Sequence, residues 1–285
     1  MDPWKPPFPF TQLKMPKPVE HYVLDLGFWD LCRYAISTRR VWWFTATART
    51  RARFARTMIG SFWLGLSNLL SIFVLALVYG TVFRVPNFKD YVLYLGFGLV
   101  LWNSLATAIA TAPNLFEQQS QLLKNTNLHP IFYTLEEWSF QLQTFLQSLF
   151  LVAIVLSLLN ISIWFNVLTA AFLPLVNFAI ALYWLPVFVC VTGARYRDLY
   201  QLVPIALQLV FLISPILYYS KSLGSYAWVQ NFNVLYLVIA LVRDALLYGA
   251  VELQANLIVL FVNVLGTLSA IYILNKRRWE LPFMV

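Results

Sequence analysis

Arg49-Thr-Arg51-Ala-Arg53-Phe-Ala-Arg56-Thr-Met-Ile-Gly60-Ser-Phe-Trp63 stands directly before the first long apolar run of the chain. An arginine at the centre of a bilayer costs about 2.5–3.5 kcal/mol on insertion scales. Four arginines cannot be drawn into lipid together, so this stretch stays on one side of a membrane. The positive-inside rule assigns that side to the cytoplasm, and the direction of every later span follows from it.

Around this stretch the composition is that of a membrane protein. Of 285 residues 60% are hydrophobic and 11% charged, with a mean hydropathy of +0.69. A soluble domain carries about 25% charged residues. The apolar runs recur almost to the C-terminus, which favours one polytopic helical membrane domain with no soluble catalytic domain beside it. The net charge of +8 is an orientation signal more than a nucleic-acid signal. Arg84, Lys89, Lys221 and Arg243 fall outside on the expected topology, and the other sixteen basic residues fall inside. Attraction of anionic headgroups is a secondary contribution. Cys32 and Cys190 have neither disulfide nor metal spacing and read as packing residues.

Residues 1–20 hold prolines at positions 3, 6, 7, 9, 16 and 18 and read as an extended cytoplasmic tail, with a Pro-rich partner ligand as the other reading. Residues 23–38 predict an amphipathic interfacial helix. Leu24, Phe28, Leu31 and Ala35 share one face, and Asp30, Arg33 and Ser37 the other. Six transmembrane helices are predicted over 62–83, 91–112, 138–159, 165–192, 200–219 and 253–274; the first two are near the roughly 20 residues a bilayer needs, and the fourth is long. Pro174 and Pro186 predict a kink or tilt in the fourth. The loop 114–137 is polar but keeps Leu122, Leu123, Leu128 and Ile131. Docking to a partner and folding back on the membrane domain are both open to it.

The stretch 227–248 is interrupted by Asn231, Asn233, Arg243 and Asp244. Its clean part, 234–242, gives about 14 Å of helix, too short to cross. A crossing there would also put Lys276, Arg277 and Arg278 outside. An outer re-entrant pair of half-helices satisfies both constraints, with its irregular backbone buried in protein. The basic C-terminal tail, 279–285 included, then lies in the cytoplasm.

Phosphate-loop spacing is absent, since neither Gly60 nor Gly65 is followed by a Gly-Lys-Ser/Thr at the required offset. His21 and His129 are the only histidines, and no metal-ligand spacing accompanies them. No cofactor is expected in this chain; energy is expected to come from another subunit. Glu136 and Glu137, adjacent at a span mouth, read as a charge pair at a helix N-terminus. They are the only support for the remote alternative of a membrane enzyme acting on lipid-linked sugars. Trp63, Trp102, Tyr218 and Tyr219 sit near span ends. They read as membrane anchors or packing residues, or as flat surfaces lining a sugar path.

Several motifs in order carry a family resemblance. Arg51-Ala-Arg53-Phe54…Ile59-Gly60-Ser-Phe-Trp63 resembles the start of span one in ABC-2 type exporter permeases, nearest to the O-antigen, capsule and teichoic acid branch. Arg195-Tyr-Arg197-Asp198 followed by Ser214-Pro215…Tyr218 is similar to that family's Arg-Asp…Ser-Pro-x-x-Tyr signature. Asn233…Val242-Arg243-Asp244 resembles its outer re-entrant element, and Leu122-Leu123-Lys124…Leu128-His129-Pro130 the loop after span two. The sequence departs by carrying Asn68 where proline is common five residues after the tryptophan, and Asn233-Val234 where Asn-Pro is common.

The resemblance implies a homodimer in a bacterial cytoplasmic (inner) membrane, with both termini cytoplasmic. It implies two copies of a separate ABC ATPase, which alone uses ATP and Mg, docked through Leu122, Leu123, Lys124 and Leu128. It implies export of a lipid-linked glycan between protomers along spans one and five, with no nucleic acid involved. Arg51, Arg53 and Arg56 are then candidates to meet a pyrophosphate at the substrate entrance, and an exporter of drugs or lipids is the alternative.

Overall fold

A computed structural model describes residues 26–60, 62–82, 85–126, 128–220, 228 and 233–284. The proline-rich residues 1–20 and Leu24 lie outside them, as does most of 221–232. Among the described residues every regular element is a helix. In chain order these are α1 (Phe28–Ser37), α2 (Arg39–Phe54), α3 (Phe62–Val82), α4 (Phe88–Thr111), a 3-10 turn (Ala112–Asn114), α5 (Leu115–Gln118), α6 (Ser120–Asn125), α7 (Pro130–Ser157), α8 (Ser162–Thr169), α9 (Phe172–Gly193), α10 (Leu199–Ile213), α11 (Val234–Tyr248), α12 (Leu253–Arg277) and α13 (Leu281–Met284).

Among the described residues five helical stretches are long and apolar enough to cross a membrane: Phe62–Val82, Phe88–Gln118, Pro130–Ser157, Phe172–Gly193 and Leu253–Arg277. The expected fifth span is shorter. Helix α10 has 15 residues, about 22 Å of rise against about 30 Å of hydrocarbon. Pro215 is the reason, because it disfavours the helical region for the residue before it. Ser214 accordingly turns extended, with φ −76° and ψ 132°.

The expected fourth span is likewise not one rod. Its helix stops at Thr169 and restarts at Phe172. The amides of Ala170 and Ala171 both donate to the Asn166 carbonyl, each at 2.9 Å. Pro174 has no amide to return to residue 170, so it sits in the first turn of a new helix, where its missing donor costs nothing. Pro186 lies further along α9 inside a continuous helix.

Helix α4 is the axis of the bundle. Tyr91, Leu95, Phe97, Val100, Leu101 and Leu105 are all buried within one apolar core shared with α7, α9, α10 and α11. Helices α3 and α12 are peripheral: α3 turns Leu70, Phe73, Val74 and Leu77 outward, and α12 turns Leu257, Phe261 and Leu265 outward.

A second core closes the end of the bundle that carries α2. It joins Leu31 of α1, Phe116 of α5, Leu123 of α6, Ile131 of α7, Leu274 of α12 and Leu281 of α13. The C-terminal residues expected as a plain tail therefore dock, through α13, on α6. The amphipathic pattern of α1 holds, with Leu31 buried and Asp30, Arg33 and Ser37 exposed. Gly193 permits the close approach of α9 to the turn after α4, since a Cβ there would stand 2.5 Å from Pro113 Cα.

Candidate functional site

The arginine stretch divides by helical phase. In α2, Ala46 and Thr50 are buried against α7, and Arg49 follows them inward. Arg49 Nη1 lies 2.5 Å from Glu137 Oε2, its guanidinium rests 4.3 Å from the Phe140 ring centre, and Gln141 Nε2 donates to the other Glu137 oxygen at 2.8 Å. Arg49 is thus a packing arginine. Arg51, Arg53 and Arg56 are exposed, so three cations remain available at this face.

Glu137 corrects the expectation of a charge pair at a helix N-terminus. Helix α7 begins at Pro130, well before the expected Trp138. Both glutamates therefore lie beyond the first turn, past the reach of the helix dipole, and Glu137 serves to neutralise Arg49. The real N-terminus is capped by His129, whose Nδ1 accepts from the Ile131 amide at 3.2 Å, with Pro130 at the first helical position. His129 is 0% exposed and lies by Asn275 and Arg278 at the end of α12. Burial pushes its pKa down to about 4; the Asn275 side chain opposes that fall and the Arg278 charge adds to it.

Beyond Arg53 a polar crevice of about 260 Å³ opens between α3, α4 and α7. Asn68 is its pivot. Asn68 Nδ2 donates to Ser148 Oγ at 2.6 Å, and Asn103 Nδ2 donates to Asn68 Oδ1 at 2.8 Å. Thr107 and Thr144 line the same space. Residues 103 and 107 share a face of α4, and 141, 144 and 148 a face of α7, at helical spacing. Reasoning from charge passed over these residues, because none is ionised. The signal was there as polar side chains recurring at helical spacing inside apolar runs, which in a membrane mark cavities or pathways.

The opposite end of α4 carries a closed cluster. Arg243 of α11 is 2% exposed and lies 3.9 Å above the Tyr94 ring. Its Nε donates to Asp244 at 2.9 Å and its Nη1 to the Pro215 carbonyl at 3.3 Å. Tyr94 and Tyr91 donate to the carbonyls of Pro215 and Leu217, each at 2.6 Å. Asn233 caps α11 by accepting from the Tyr236 amide and donates to Ser214 Oγ at 2.7 Å. The Ser214-Pro215 break, Asn233 and Arg243 come from two of the motifs that carried the resemblance, and they form one unit. Helix α11 ends at Gly249, with φ 64°.

The four aromatic candidates are not gathered. Trp63 is exposed near the start of α3. Trp102 is 5% exposed and packs on Phe211 of α10, with ring centres 5.3 Å apart. Tyr218 donates to the Ile213 carbonyl at 3.0 Å, and Tyr219 packs on Tyr91 and Tyr94. Tyr218 and Tyr219 thus belong to the closed end. In the loop, Leu122 and Lys124 of α6 are exposed, Leu123 is buried in the second core, and Leu128 is half-buried.

These features define a multi-pass α-helical membrane protein with a helix break at Ser214-Pro215 and a basic helix at the opposite end. Residues 43–247 match the family described as ABC-2 type transporter. The chain belongs to that family, whose members are the membrane-embedded transport subunits of ABC transporters and work with an ABC ATPase. It is also 22% identical over 236 residues to the O-antigen export system permease protein RfbA of Klebsiella pneumoniae, covering 81% of this chain and 89% of that relative.

Proposed function

We propose that this chain is the permease subunit of an ATP-driven exporter that moves a lipid-linked polysaccharide out of the bacterial cytoplasm across the inner membrane. The observation that carries this is the near full-length relation to an O-antigen export permease. In this reading two copies form the pathway and two copies of a separate ATPase drive it, with ATP and Mg confined to that partner. The end bearing α2, α6 and α13 is cytoplasmic, as are both termini. Leu122 and Lys124, exposed on α6, meet the ATPase, while Leu123 and Leu128 brace α6 from behind. Arg51, Arg53 and Arg56 attract the pyrophosphate of the substrate at the bilayer surface. The outward faces of α3 and α10, left bare in the single chain, supply the surfaces between protomers.

One observation favours the alternative, an exporter of drugs or lipids. The exposed face of α10 is aliphatic, built from Leu202, Ile205, Leu209 and Leu212, and offers no flat ring for a sugar. Co-purification with a candidate ATPase, followed by assay of its ATP hydrolysis with purified lipid-linked glycan, separates the readings. Association with stimulation by the glycan is expected. Association with stimulation only by glycan-free lipids favours the alternative, and a chain that binds no ATPase defeats both.

A further inference from the structure

The crevice beside Arg53 has a hydrogen-bonding character of its own. Ser67 donates its hydroxyl proton to the Leu64 carbonyl at 2.9 Å, and Ser104 to Val100 at 2.8 Å. Thr144 donates to Phe140 and Gln141 at 3.0 and 2.9 Å. A hydroxyl has one proton and two lone pairs. Each of these has spent its proton on its own helix and turns acceptor capacity toward the crevice. Asn68 gives one amide N–H to Ser148 Oγ and Asn103 gives one to Asn68 Oδ1, and each amide has a second N–H. Hydroxyl acceptors and amide N–H groups around an otherwise uncharged space suit a ligand rich in O–H groups, which can both donate and accept.

The mouth has the opposite character. The Arg53 guanidinium lies 5.7 and 5.8 Å from the rings of Phe54 and Phe140, and among the described residues no carboxylate pairs with it. Those rings leave its fork of N–H donors free for an oxyanion. A donor-rich ligand carrying a phosphate at one end fits both parts. At about 260 Å³ the crevice is slightly below the usual range of small-molecule pockets, about 300–1,000 Å³. It has room for one sugar ring and none for a glycan chain.

We infer that this crevice binds the first sugar of a polyprenyl pyrophosphate-linked glycan, with the sugar hydroxyls donating to Ser67, Ser104, Thr107 and Thr144 and the phosphate held at Arg53. This rests on the export function proposed above and adds to it a site that reads the lipid-proximal sugar, whatever follows it. The same chemistry, phosphate plus hydroxyls, also occurs in the headgroup of phosphatidylglycerol, so the test includes that lipid.

The full chain, in phosphatidylcholine nanodiscs, is titrated with a polyprenyl pyrophosphate bearing one hexose, with the bare polyprenyl pyrophosphate, and with phosphatidylglycerol. The double variant Thr107→Val/Thr144→Val keeps side-chain volume and removes two acceptors. It is expected to weaken the sugar-bearing lipid at least tenfold and to leave the bare lipid within twofold. Thr107→Ser/Thr144→Ser, which restores the hydroxyls, is expected to bind as wild type does, and Arg53→Gln to weaken both pyrophosphate lipids. Unchanged binding of the sugar-bearing lipid by the valine variant overturns the site and leaves the export reading intact. Equal loss of the bare lipid, or competition by phosphatidylglycerol as strong as that by the sugar-bearing lipid, also overturns it. Failure of wild type to bind either pyrophosphate lipid overturns the site and the export reading together.

Discussion

The two halves of α4 treat polar groups in opposite ways. Toward its N-terminus, Tyr91 and Tyr94 donate to backbone carbonyls of the segment after α10, and Arg243 lies flat on Tyr94. Tyr91, Tyr94 and Arg243 are all partnered and buried, and of the groups they hold Asp244 is the one that meets solvent. Toward its C-terminus, Asn103, Ser104 and Thr107 border an open crevice in which hydroxyl oxygens keep acceptor capacity. The closed half solves a structural problem. The chain leaves helix at Ser214 after only 15 residues of α10, less than a bilayer's thickness, and irregular backbone in apolar surroundings survives only when its polar groups find partners in protein. The open half solves no such problem, since its helix bonds are complete, and its polar side chains are spare.

That contrast predicts unequal responses to mutation. Removing Arg243 takes away a desolvated cation–π contact and a charged hydrogen bond to the Pro215 carbonyl. Arg243→Ala should therefore cost about 3 kcal/mol. Arg243→Lys keeps the charge but not the planar fork and should fall between the two. Thermal unfolding of the purified protein in detergent gives the order, and limited proteolysis between residues 214 and 233 should sharpen for the alanine variant first. Equal stability of all three proteins would show that Tyr91, Tyr94 and Asn233 hold the break without the arginine, and the closed half would lose its centre.

The open half has one closed contact of its own, where α2 docks on α7. Arg49 is about a third exposed while Glu137 is nearly buried, so solvent screens the pair and its worth is modest. A double-mutant cycle of Arg49→Met with Glu137→Gln should return a coupling of about 1 kcal/mol. The same cycle between Arg53 and Glu137 should return none, because Arg53 faces the crevice mouth. A coupling of similar size for both arginines would mean that the whole stretch serves docking, and the division by helical phase would fail.

The sequence made some of this legible and hid the rest for definable reasons. The long apolar runs announced α3, α4, α7, α9 and α12, because bilayer thickness sets a length that composition alone reveals. The extent of Arg49–Trp63 was visible as charge, yet charge does not reveal phase. Only the burial of Ala46 and Thr50 separates Arg49 from Arg51, Arg53 and Arg56. The break before α9 was masked because Pro174 fits a kinked helix as well as the first turn of a new one. The start of α7 at Pro130 was hidden by the adjacent charges at 136 and 137, which read as loop until Arg49 gave Glu137 a partner. The crevice was the least legible, because Asn68 and Ser148 are 80 positions apart and meet only through the packing of α3 on α7. Asn68 itself was visible in the sequence as a polar residue in an apolar run; its amide contacts were not.

His129 tests whether the second core, beneath the open half, is as dry as the closed cluster above it. Its Nδ1 must stay unprotonated to accept from the Ile131 amide, and its pKa in the folded chain is about 4, against about 6.5 for a free imidazole. The folded state therefore favours the neutral ring. The stability this gives is fully present above about pH 6.5 and is lost as pH falls toward 4. Between pH 7 and pH 6 the loss should be about 0.7 kcal/mol. Asparagine caps a helix as well and does not titrate. The difference in unfolding free energy between wild type and His129→Asn should thus narrow by that amount over the same interval, while other titrating groups cancel. Parallel profiles would mean that the imidazole protonates in place, with water reaching the junction of α7 and α12. The contrast between the ends of α4 would then extend through the whole end that carries α2, α6 and α13, and the docking of α13 over this junction would have to be looser than the burial of Leu281 implies.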